Sequence, residues 1–328
     1  MKKLAIALVI IAALLAGTWY GTFSLRRARA NDYLETGNKY FAERNDREAI
    51  LEYKKGAFLY PTSELYFALG QVYFLNQNLS RAETYFKNAL AKSTQGGSAS
   101  GGDPNHAKAA FGLSETYLYQ EKYDEALRTL EEKNSDDSLI NIGLTRIYLS
   151  QEEDEKAEKQ IENSSSNLSR FYQAKILLFQ EQYHGIPDKL SQVEAKDADE
   201  RTMLPSEPTL SYIKILEDAI RQSLKTTNDA TRKVILGEVL NQTGDAAIAL
   251  PILKKVAEEN STYRDAYVFL GHSYLLIKKF DQAKDILLKA IDLDPIYYPS
   301  WLYLGEAYEG LGNEEVANNC YEKAKELK

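Results

Sequence analysis

The chain is poor in several residue types that chemistry usually needs. In 328 residues it has one cysteine, three histidines, two tryptophans and eight prolines. The single thiol, Cys320, excludes an intramolecular disulfide and any multi-cysteine metal site. His106, His184 and His272 stand far apart without ligand-spaced partners, so no metal is expected. Basic charge is short too: the net charge is −8, and Lys2, Lys3, Arg26, Arg27 and Arg29 all fall in the first 30 residues, leaving −13 on the rest. A nucleic-acid partner, which demands a basic footprint, is excluded. Catalytic signatures are missing as well. There is no H-E-x-x-H, no phosphate-binding G-x-x-x-x-G-K-[ST] and no G-x-S-x-G. Gly310-Leu311-Gly312 reads as an interhelical turn, not as a dinucleotide loop after a strand. Acidic runs such as Glu152 to Asp154 read as solvated faces. No catalytic residue, cofactor or small-molecule substrate is assigned.

What is present begins with an uncharged run, Leu4 to Leu25, of 22 residues. As a helix it would span roughly 33 Å, enough for a ~30 Å hydrocarbon core. Trp19 and Tyr20 stand towards one end, where amphipathic rings favour the interface. This reading predicts an uncleaved single-pass anchor in residues 1–30, a cell-membrane location and repeats on the extracytoplasmic side. A cleaved leader, ending near Ala28-Arg29-Ala30, is the alternative.

The rest of the chain repeats itself. Gly237, Gly271 and Gly305 are spaced by 34, in register with Leu236, Leu270, Leu304, with Ala249, Ala283, Ala317, and with Leu253, Leu287, Tyr321. The N-terminal half repeats the order with a step of 33: Gly37 and Gly70, Tyr40 and Tyr73, Ala49 and Ala82, Tyr53 and Phe86. Small residues at such columns let helices cross closely, with a large neighbour filling the gap. Asp46, Ser80, Asp124, Asp154, Asp245, Asp281 and Asn313 are expected as helix N-caps, and Pro61 and Pro295 as stops.

Trp301, Leu304, Gly305, Tyr308, Ala317, Tyr321 and Ala324, with their counterparts from Tyr267 to Pro295, resemble the tetratricopeptide repeat. Seven copies are readable. The resemblance implies an all-α solenoid of helical hairpins: a first segment over 31–167 with a Gly/Ser loop at 93–105, an irregular helical region and Pro-containing linker over 168–228, and three repeats over 229–328. Leu288 and Ile291 give way to Glu322 and Lys325 in the last helix, as a terminal repeat with a polar outer face requires.

The resemblance further implies a concave groove lined by the first helix of each pair. The groove positions are Leu34, Asn38 and Phe41; Phe67, Gln71 and Phe74; Phe111, Glu115 and Leu118; Ile142 and Arg146; Val234, Glu238 and Asn241; Val268, His272 and Leu275; and Leu302, Glu306 and Glu309. Mostly apolar, it suits an amphipathic helix or an extended apolar segment of another protein. Core packing is the competing role for Phe67, Phe74 and Phe111. The expected function is a non-enzymatic scaffold or subunit of a membrane protein complex, with a membrane-tethered chaperone or assembly factor as the alternative.

Overall fold

The computed structural model describes residues 2–94, 103, 105–131, 137–195 and 208–328, residues 2–20 by backbone alone. Among the described residues the chain forms seventeen α-helices and no strand. They fall into two compact units, Met1–Leu113 and Ser114–Lys328. Unit 1 holds α1 (Lys2–Ala42), α2 (Asp46–Leu59), α3 (Ser63–Leu75), α4 (Leu79–Thr94) and the start of α5 (Asn105–Tyr119), which crosses the boundary. Unit 2 continues with α6 (Tyr123–Glu131), α7 (Ser138–Ser150), α8 (Asp154–Ile161), α9 (Asn167–Phe179), α10 (Ile186–Leu190) and α11 (Leu210–Ser223). Three regular hairpins close it: α12 (Asp229–Gln242) with α13 (Ala246–Glu259), α14 (Arg264–Leu276) with α15 (Phe280–Leu293), and α16 (Tyr298–Gly310) with α17 (Glu314–Leu327).

The glycine columns mark where paired helices touch. Gly37 lies under Tyr53, Gly70 under Phe86, Gly237 under Leu253, Gly271 under Leu287 and Gly305 under Tyr321, always a residue sixteen positions later. A Cβ at Gly70 or Gly271 would come within 2.5 Å of the facing side chain, so only hydrogen fits. Ala49, Ala82, Ala249 and Ala283, all fully buried, keep the second helices close.

Each hairpin turns through one residue in the left-handed region: Arg44, Gln77, Glu121, Glu152, Glu181, Gly244, Lys278 and Gly312. The next amide then donates to a carbonyl five residues back, as in Asn78 N to Tyr73 O and Lys279 N to Tyr274 O, both 2.8 Å. This is the Schellman closure of a helix C-terminus. Glu181 shows that 168–195, irregular in sequence, makes the same turn after α9.

Capping differs from expectation in detail. Asn313 caps α17 by accepting from Val316 N at 3.3 Å. Asp46, Ser80, Asp124, Asp154 and Asp281 instead lie inside the first turns, where the carboxylates among them face the positive end of the helix dipole. Asp245 stands at the N-cap of α13 but makes no capping bond; its carboxylate is engaged elsewhere.

The anchor expected over Leu4–Leu25 is corrected. Among the described residues no helix is long and apolar enough to cross a membrane. The uncharged run enters α1, one helix of 41 residues that continues into the first repeat. Its fully described part, from Gly21, carries Arg26, Arg27, Arg29, Asp32, Glu35 and Lys39. The side chains of Leu4, Trp19 and Tyr20 lie outside the described residues. The cell-membrane location and bilayer contact that rested on this span fall with it. Most of the Gly/Ser loop and of the expected linker from Lys196 also lies outside the described residues. In unit 2 the segment 168–228 supplies α9, α10 and α11, with Phe171 to Ile176 buried.

Candidate partner-binding surfaces

In unit 1 the first helices of the two hairpins, α1 and α3, bring Leu34, Asn38, Phe41, Phe67 and Gln71 around a cavity of about 150 Å³. Tyr53, Glu64, Ala68, Asn105 and Lys108 complete its wall. Leu34, Phe41 and Phe67 are each 8% exposed and form an apolar floor. The Phe67 ring also leans on Phe86, with centroids 5.8 Å apart. Asn38 accepts from the Tyr53 hydroxyl at 2.8 Å. Burial, and then Asp46, pushes that hydroxyl above its ordinary range, so it stays a donor. The wall therefore offers carboxamides, one cation and one carboxylate above an apolar base. Phe74 and Phe111 are buried and line no part of this cavity.

In the C-terminal repeats the groove positions divide in two. Val234, Val268 and Leu275 are buried in the packing. Asn241 is buried as well, donating to Phe269 O at 3.0 Å and accepting from Ser273 Oγ at 2.8 Å. His272 stacks on Tyr303 with ring centroids 4.4 Å apart, and burial pulls its pKa down to about 4. Glu238 is raised by burial and then by Asp265. Leu302 and Glu306 are exposed. This rim is acidic and aromatic.

Between these repeats and α5, α7 and α9 lies the main electrostatic feature of unit 2. Arg146, on α7, donates from Nε and Nη2 to both carboxylate oxygens of Glu115, at 2.8 and 2.9 Å. Its Nη1 reaches the Tyr172 hydroxyl at 2.7 Å and also the Asp245 carboxylate. Tyr172 donates onward to Asp245 at 2.8 Å, and Lys175 donates to the second Asp245 oxygen. All five residues are buried, Lys175 with 1% exposure. Burial works against the charge on Arg146, but Glu115 outweighs it and holds the guanidinium above its ordinary range. Burial and then Arg146 push Lys175 well down. Removing Arg146 from this enclosure would strand the buried Glu115 carboxylate.

The sequence reading placed Glu115 and Arg146 on a groove and Asp245 on a helix end, and it assigned nothing to Tyr172 or Lys175. The available signal was a lone base inside each of two apolar helices, LINIGLTRIYLS and FYQAKILLF. Buried bases of this kind need a carboxylate from elsewhere in the fold.

Hairpins of this length, stacked by small-residue columns, define a helical repeat protein. Tetratricopeptide-repeat family models match residues 67–138, 265–297 and 298–328. The chain carries tetratricopeptide repeats, which are protein-binding scaffolds, and neither matching model is of a catalytic family. Similar solved structures include MamA MSR-1 C2, 17% identical over 67% of this chain and 95% of that one, with a TM-score of 0.29. Another is MamA 41-end from Desulfovibrio magneticus RS-1, 18% identical over 67% and 94%, with a TM-score of 0.30. Likeness of that degree carries no functional argument. No curated protein matches the chain.

Proposed function

We propose that the protein is a non-enzymatic subunit of a stable protein assembly, and that it holds a partner through the cavity of unit 1. The observation carrying this reading is the cavity between α1 and α3, apolar at its base and walled by Asn38, Gln71 and Asn105. A space of about 150 Å³ accepts a benzene-sized group, so one apolar side chain of a partner fits it. The surrounding carboxamides are suited to the backbone of the segment that carries this side chain. The exposed Leu302 and Glu306 rim of the last repeats provides a second, acidic contact region.

The test is affinity purification of the full chain from its native extract, with crosslinking and mass spectrometry, beside Gln71→Arg. The arginine fills the cavity from a partly exposed position and should leave thermal unfolding unchanged. A few partners at fixed stoichiometry, crosslinked to α1 or α3 and depleted at least tenfold by Gln71→Arg, are expected. Partners retained equally by the variant would refute the site. Many sub-stoichiometric partners would refute the stable-subunit role in favour of transient, chaperone-like binding.

A further inference from the structure

We infer that the inner face of α7 and α9 is a helix-binding site, filled in cis by α13, and that it selects a helix led by a carboxylate and followed by small and aliphatic side chains. In unit 1 the first helices of the hairpins border an open cavity. In unit 2 the corresponding side of α7 is closed: every residue from Ile142 to Ser150 is buried, with α13 packed against it. The occupant reads as a ligand. Asp245 enters the Arg146, Lys175 and Tyr172 cradle at the head of α13, and Ala246 to Leu250 behind it, each at most 5% exposed, are buried among α7, α12 and α14.

The border of this contact resembles an interface more than a core. Glu121, Glu152 and Glu181 occupy equivalent left-handed turn positions after α5, α7 and α9. Glu121 pairs with Lys279 at 2.6 Å, Glu152 with Lys255 at 3.0 Å, and Glu181 with Arg232. These pairs are partly exposed and tie the turns after α5, α7 and α9 to the α14–α15 turn, to α13 and to α12 in that order, beside one fully desolvated charge cluster. The α12–α13 hairpin has its own internal packing, Leu253 over Gly237, that does not depend on the contact with α7.

The experiment compares the full chain with its Glu121→Gln/Glu152→Gln/Glu181→Gln variant by hydrogen–deuterium exchange. Exposed ion pairs are individually weak, so removing the set should raise exchange in α7 and α13 together by about tenfold. Exchange in α16 and α17 and in α2 to α4 should stay unchanged. A peptide of residues 244–259 added in excess should restore protection of α7, and the same peptide with Asp245→Asn should require at least tenfold more. Unchanged exchange in α7 and α13 would overturn the inference, as would a rise shared by all of unit 2. Equal action of the two peptides, or no action by either, would overturn it too.

Discussion

Gly271→Ala adds a single methyl group at a helix crossing whose geometry is known. The new Cβ would lie 2.5 Å from Leu287 Cγ and 2.7 Å from Cδ2. Ordinary carbon contacts are about 3.5–4.0 Å, so Leu287 or its helix must retreat by roughly 1 Å. Leu287, on α15, is fully buried where it meets Gly271 of α14. Overpacking of this kind costs about 1–3 kcal/mol, while exchanging glycine for alanine inside a helix returns about 1 kcal/mol. The net loss is then up to about 2 kcal/mol, or up to about 8 °C in a unit of this size. The sharper assay is a double-mutant cycle by urea unfolding. Leu287→Ala alone should cost about 2–5 kcal/mol through its cavity. In the double variant the added methyl partly fills that cavity, giving a favourable coupling of about 1–3 kcal/mol. Gly21→Ala is the control, because its Cβ meets nothing within 4 Å. Simple additivity of Gly271→Ala and Leu287→Ala would refute the packing argument, and with it the meaning assigned to the glycine column.

Three further outcomes are expected. His272 has a folded pKa of about 4 against an ordinary 6.5, so below pH 6.5 the unfolded chain takes a proton that the folded chain refuses. Stability from this source is complete above pH 6.5 and lost on falling to pH 4, by at most about 3 kcal/mol; His272→Gln should flatten that limb of the pH–stability curve relative to wild type. Arg146→Met strands Glu115 and takes one donor from Asp245, which keeps Tyr172 and Lys175, and should lower the stability of unit 2 by about 3–5 kcal/mol in urea unfolding; a loss below about 1 kcal/mol would mean the cluster is not desolvated. Gln77→Gly removes a non-glycine residue from φ 59° and should raise the melting point of unit 1 by about 2–4 °C, near 0.5–1 kcal/mol.

The repeat was legible because its physics is local. Gly37, Gly70, Gly237, Gly271 and Gly305 each announce a contact with a residue sixteen positions later, and both ends of that contact lie in one hairpin. The cluster around Asp245 was not legible, because its members come from helices up to 130 residues apart and no periodicity links them. Besides the lone bases of α7 and α9, composition hinted at it: AAIALPIL from Ala246 is apolar on every side, and a helix of that kind is covered on more than one face. Phe67 was read as groove or core, and it serves both, with its ring on Phe86 and its edge on the cavity. The N-terminal run was read from the length of its uncharged stretch and the rings at its end, neither of which shows where the helix stops; α1 runs on to Ala42.

The three turn glutamates have a consequence for how the chain acquires its structure. They meet their bases in reverse order, across separations of 51, 103 and 158 residues. A linear repeat array touches only its neighbours and can assemble one unit at a time during synthesis. Here α7 leaves the ribosome more than 90 residues before the helix that covers it. Its apolar side must wait, and the long loops to be closed raise the contact order of unit 2 above that of an ordinary solenoid. Folding of unit 2 is therefore tied to completion of the chain, and a truncation after α11 exposes the surface that α13 would have hidden.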